Sequence, residues 1–186
     1  VVVVAVIIAL FVYRHIQSTM RERAYQDALT AQEIGNYDAA ISLFQELGEY
    51  KDSITQLSVT EFAKEFTTSD VFIEWEELTG EYIDTCLENG YSSGEYSYNA
   101  QDQMVTILVS QSETMDAGID FENLSPELLS AWMGITDAAD YLTDTTHTKF
   151  TDYNYPVDCQ YMLTNSTGDL LYSAVNGQST YNCIDV

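Results

Sequence analysis

Leu170-Leu-Tyr-Ser-Ala-Val-Asn-Gly-Gln-Ser-Thr-Tyr-Asn-Cys-Ile184 decides the fold class of the C-terminal part of this chain. Its two runs of apolar, β-branched and aromatic residues flank Asn176-Gly177, the dipeptide that most readily adopts the double positive-φ turn of a tight hairpin. Upstream, residues 157–164 read as another strand, joined to this hairpin through the polar, Gly-containing turn 165–169. Before it, Ser125-Pro126-Glu127 supplies an N-cap, a proline at the first helical position and an acidic first turn. Leu128, Leu129, Trp132, Ile135, Ala139 and Leu142 then carry a helix to about Thr145. Further back, residues 95–99 and 103–110 form a hairpin about Ala100-Gln-Asp102. Met104, Val105, Ile107, Leu108 and Val109 make its second strand almost continuously apolar and therefore central. The order ββ-α-βββ predicts an α+β fold, an antiparallel or mixed sheet with the Pro126 helix packed on one face.

Ahead of Gly90 the apolar period lengthens from 2 to 3.6. Residues 69–89 read as a helix whose buried face is Val71, Phe72, Trp75, Leu78, Tyr82, Ile83, Cys86 and Leu87, with Gly90 as its C-terminal stop. Its other face holds Glu74, Glu77, Glu81, Asp84 and Glu88. An earlier helix is signalled by Asp52 or Ser53 as N-cap, followed by Ile54, Leu57, Phe62 and Phe66. Before that, Ala40, Leu43, Phe44 and Leu47 recur at helical spacing after a break at Gly35-Asn36, and Gly48 ends the run. Tyr25, Ala28 and Leu29 offer an apolar face to meet them, which predicts an αα-hairpin.

The stretch 25–48, with Gly35, Tyr37, Ala40 and Phe44 at their spacing, resembles a tetratricopeptide-type repeat. The phrase Leu47-Gly-Glu-Tyr-Lys-Asp-Ser53 is similar to one common in membrane-anchored proteins of Gram-positive bacteria. A single repeat is too short to build a superhelical peptide groove, so the hairpin is expected to space a domain from the membrane. Residues 90–186 also look like a small α+β domain of Firmicutes surface proteins, in which a hairpin, a Trp-bearing helix and a meander ending near a Gly turn recur. That resemblance implies a location and no chemistry.

Residues 1–13 are apolar without interruption and run into the aromatic and basic flank Tyr13-Arg14-His15. Thirteen helical residues reach roughly 20 Å, short of the ~30 Å hydrocarbon core. The expectation is a single-pass transmembrane helix whose first turns precede Val1. A signal peptide would end in small residues instead. With no Gly or Pro before Gly35, the anchor can continue as one helix of roughly 50 Å. Arg14, Arg21 and Arg23 taken alone would place the body in the cytoplasm, whereas the family resemblance implies an extracellular body. The expected organisation is 1–13 truncated transmembrane helix, 14–66 helical stalk and 67–186 acidic α+β domain.

The net charge is −24, and from Glu65 onward 22 Asp and Glu face one basic side chain, Lys149. Such a chain does not bind nucleic acid, whose phosphates need Lys and Arg. Its surface attracts basic partners or divalent cations. Asp116, Asp120 and Glu122 share a connector and form a candidate Ca²⁺ site, although their spacing does not match an EF-hand loop. His147, near Asp144 and Asp152, is a candidate base or ligand, but one histidine beyond the stalk is poor material for either role; a helix-end position near the C-terminal dipole accounts for it. No Gly-x-Ser-x-Gly occurs, and no histidine lies near a candidate nucleophile. Paired carboxylates, which serve glycosidases, are expected by chance among thirty. Nine tyrosines beyond Gly90 could make a platform for a glycan or peptide, or simply pack on a half-buried sheet. Cys86, Cys159 and Cys183 are too few for a disulfide scaffold. Cys159 and Cys183 could pair, but a meander puts them at opposite ends of strands separated by a third, which favours free, partly buried thiols.

These features predict a non-catalytic, membrane-anchored extracytoplasmic module for binding, sensing or scaffolding, with a protein or glycan partner and no cofactor. The rival is a pilin-like subunit assembled through the apolar N-terminal helix. The chain departs from that pattern in lacking an early glutamate, in carrying Arg14 within the span, and in breaking at Gly35.

Overall fold

A computed structural model describes residues 2–119, 121 and 124–184. The chain divides into two compact units, Val1–Phe66 and Thr67–Val186.

The first unit is helical. Helix α1 (Val2–Glu33) runs unbroken for 32 residues, about 48 Å at 1.5 Å per residue. Gly35, at φ 76°, makes the turn, and Asn36 caps α2 (Tyr37–Leu47) by accepting a hydrogen bond from the Ala39 amide. Small residues Ala28 and Ala40 let α1 and α2 approach closely, and Tyr25, Phe44 and Leu47 fill the seam around them. The tetratricopeptide-like spacing therefore folds as the expected hairpin. Helix α3 (Ser53–Thr67) buries Phe66 as expected and leaves Leu57 partly buried, but it departs from expectation in how polar its inner face is. Ser53, Gln56, Thr60, Ala63 and Phe66 point inward, while Ile54 is 58 % exposed. The reason lies in polar partners that sequence periodicity does not see. The buried Gln32 of α1 donates to Thr60 Oγ1 at 2.7 Å, and the Tyr25 hydroxyl donates to Asp52, which also accepts from Gln56. Among the described residues, no helix is long and apolar enough to cross a membrane.

The second unit is α+β. Helix α4 (Asp70–Glu88), capped by the Ser69 hydroxyl, leads into the hairpin β1 (Ser93–Asn99) and β2 (Met104–Ser110). The short helix α5 (Glu113–Gly118) lies in the connector before α6 (Pro126–Asp152). Strands β3 (Asp158–Thr164), β4 (Leu170–Val175) and β5 (Gln178–Asn182) close the chain. The sheet order is β1-β2-β3-β4-β5, and only the β2–β3 pair is parallel. The sheet is thus mixed, because α6 is a crossover that returns the chain to the end of the sheet where β2 began. Asn176 and Gly177, at φ 50° and 79°, form the expected turn between β4 and β5.

Both α4 and α6 pack on one face of the sheet. That face is Gly94, Tyr96 and Tyr98 of β1, the fully buried Val105, Ile107 and Val109 of β2, and Cys159, Tyr161 and Leu163 of β3. The approach of α4 is so close that a Cβ on Gly94 would lie 2.7 Å from Ile83. The sequence ends α6 near Thr145, because threonines are poor helix formers, yet the helix continues to Asp152. Thr143, Thr146 and Phe150 recur on its inner face and are buried against the sheet, and Thr143 Oγ1 accepts from the Gly177 amide at 2.9 Å. Tertiary packing overrides local propensity there.

Candidate functional site

A cleft opens between α4 and α6 on the surface of this unit. It holds about 190 Å³ and lies among Trp75, Leu78, Thr79 and Tyr82 of α4 and Leu142, Thr145, Thr146, Lys149 and Phe150 of α6. Each helix contributes residues at i, i+3, i+4 and i+7, so each presents one stripe to the other. The buried Trp75, Thr79, Thr146 and Phe150 make the floor. Leu78 is 54 % exposed and forms part of the rim, which corrects its expected place in the core. Leu87, 41 % exposed, is corrected with it. The α4 rings that pack on β1 are those of Phe72 and Trp75, against Tyr98 and Tyr96. Leu78, off that stripe, is left on the shoulder of the helix.

Lys149 is the only Lys or Arg in the second unit. Its ammonium donates to Glu74 Oε1 at 2.7 Å across the mouth of the cleft, which neutralises it. The other wall of α4 is a shallow shelf of opposite character, with Glu76, Glu77, Glu81 and Asp84 around Ile73 and Gly80. Of these, Glu76 accepts from the Tyr96 hydroxyl at 3.0 Å. The apolar cleft and the anionic shelf thus flank the same helix.

The residues singled out by sequence are dispersed. Asp116 sits on α5, where its Oδ2 accepts from the Ser166 amide at 2.6 Å and ties the connector to the β3–β4 turn. Asp120 and Glu122, the other members of the Ca²⁺ candidate, lie outside the described residues. Among the described residues, no group of three or more His, Cys, Asp and Glu is placed to hold a metal ion. His147 points Nδ1 at the Val157 carbonyl, 3.0 Å away, with Asp158 Oδ1 at 3.6 Å. A carbonyl can only accept, so this nitrogen carries a proton and holds the start of β3 against α6.

Four of the nine tyrosines turn into the layer between helices and sheet. Tyr96 meets Trp75, Tyr98 meets Phe72, Tyr161 meets Tyr82, and Tyr172 meets Trp132. Tyr141, Tyr153 and Tyr181 are exposed, but they lie on α6, at its C-cap and on β5. Trp132, 4 % exposed, is the core anchor expected of it, and its Nε1 donates to Asn182 Oδ1 at 3.1 Å.

The buried ionisable groups are held in their neutral forms. Burial raises the Tyr82 and Tyr161 hydroxyls, which also hydrogen-bond each other. It pushes the Cys159 thiol up to about 12, and raises Cys86 and Cys183 as well. All three cysteines are free. A catalytic or redox-active thiol needs the opposite displacement. The chain matches no family model, no curated protein and no solved structure.

Proposed function

We propose that this chain is a non-catalytic, membrane-anchored extracytoplasmic binding module. Residues 1–13 hold it to the bilayer, the α1–α3 unit is the stalk, and the acidic α+β unit presents the binding surface. The observation that carries the binding role is the open α4–α6 cleft, an apolar hollow with Leu78 on its rim, in a unit whose only Lys or Arg is Lys149. Anchoring rests on the uncharged apolar run followed by Tyr13, Arg14 and His15, an interfacial pattern.

The test is cellular. The full-length protein sediments with membranes and resists carbonate extraction, and protease added to intact cells degrades the acidic body. Protection of that body until the cells are lysed reverses the topology. Release into the carbonate supernatant removes the anchor.

A further inference from the structure

We infer that the α4–α6 cleft receives a cationic amphipathic peptide segment, with its apolar side chains in the cleft and its Lys or Arg side chains on the anionic shelf of α4. The inference deepens the binding role proposed above by giving the occupant a chemical class.

Three observations select this class. First, size: about 190 Å³ is below the ~300–1,000 Å³ that encloses a whole small ligand, and suits one or two apolar side chains of a larger partner. Second, shape: each of the two walls is a stripe of side chains at helical spacing, one from α4 and one from α6, and grooves of this kind receive the apolar face of a helix. Third, charge: Glu77, Glu81 and Asp84 line the shelf on the far side of the same helix. The unit's single cation is already spent on Glu74. An anionic or purely apolar ligand leaves that shelf uncompensated. A peptide with cations flanking its apolar anchors satisfies cleft and shelf together, and long-range attraction hastens its encounter.

The experiment uses the full chain in nanodiscs of zwitterionic phosphatidylcholine, with empty discs as the blank. The probe is a fluorescent 14-residue Leu/Lys amphipathic helix; its scrambled isomer has the same charge, and a Leu/Glu counterpart has the opposite charge. Anisotropy is read at low and at physiological salt. The Leu/Lys helix binds at least tenfold more tightly than the scrambled peptide, and the Leu/Glu peptide does not bind. Thr145→Trp, which fills the cleft from an exposed position, and Leu78→Ala, which removes an exposed rim residue, each weaken binding at least fivefold. Glu77→Gln with Glu81→Gln weakens it and flattens its salt dependence. Circular dichroism checks that each variant remains folded, and Leu78→Ala is the one least able to disturb the core. Equal affinity for amphipathic and scrambled peptides, unchanged by Thr145→Trp and Leu78→Ala, reduces the interaction to general attraction by a polyanion and overturns the inference. Absence of Leu/Lys binding also overturns it. Because the assay reads affinity in a reconstituted disc, either failure leaves the carbonate and protease results on anchoring and topology standing.

Discussion

The two tryptophans offer a paired perturbation in which one structural difference decides the sign. Both lie in the second unit and both are buried, Trp75 at 5 % and Trp132 at 4 % exposure. Trp132 Nε1 donates to Asn182, whereas Trp75 Nε1 is buried with no hydrogen-bond partner among the described residues. Replacing either by Phe removes roughly 50 Å² of apolar ring, about 1.3 kcal/mol at ~25 cal/mol per Å². In Trp132→Phe the lost hydrogen bond adds about 1 kcal/mol. Asn182 Oδ1 is not orphaned by this, since it still accepts from the Ile184 amide. The expected total cost is therefore about 2 kcal/mol. In Trp75→Phe the change removes an unsatisfied donor that costs about 1–3 kcal/mol, which offsets or exceeds the lost area. The expected outcome is a Trp75→Phe protein as stable as the parent or more so, and a gap of about 2–4 kcal/mol between the variants. Urea unfolding of the full chain in mild detergent measures it. The chain has only these two tryptophans, so in each variant the remaining indole reports the second unit alone. A Trp75→Phe protein at least as destabilised as Trp132→Phe refutes the reasoning: the Trp75 N–H would then be satisfied, most simply by an aromatic face such as that of Tyr96.

Three further outcomes follow from particular contacts. Gly94→Ala lowers the stability of the second unit by about 1–3 kcal/mol, because the added methyl meets Ile83 across the α4–β1 approach; Ile83→Ala in the same chain restores part of the loss, which a double-mutant cycle reads. In the first unit, hydrogen bonds from Lys51, Tyr50 and Gln26 hold the Glu22 carboxyl down at about 2. A depressed folded pKa stabilises above the unfolded value and is lost as pH falls, so thermal stability of the helical unit drops between about pH 4.5 and 2, and Glu22→Gln flattens that portion of the profile. Finally, Mg²⁺ and Ca²⁺ raise the melting temperature of the acidic unit equally and without saturation, as screening of like charges requires. A saturable gain specific to Ca²⁺ and abolished by Asp116→Ala points instead to a true site in the connector.

The α+β class, the strand order along the chain, the Asn176-Gly177 turn, the Gly35 break and the core role of Trp132 were legible in the sequence. Each rests on a local rule of φ preference, capping or apolar period, which neighbouring residues suffice to express. What sequence could not express was which face of a helix meets which neighbour. Leu78 reads as core by period and is rim, because α4 is oriented by the rings of Phe72 and Trp75 against β1. Ile54 reads as core and is exposed, because α3 buries Gln56 and Thr60 where Asp52 and Gln32 give them partners. The threonine-rich end of α6 reads as loop and is helix, because the sheet beneath it buries Thr143, Thr146 and Phe150. The cleft belongs to this second kind of fact. Its two stripes lie sixty residues apart in sequence at their nearest, from Tyr82 to Leu142, and neither is distinctive alone. Only the parallel β2–β3 crossover, which lays α6 beside α4 on one face of the sheet, turns them into a surface.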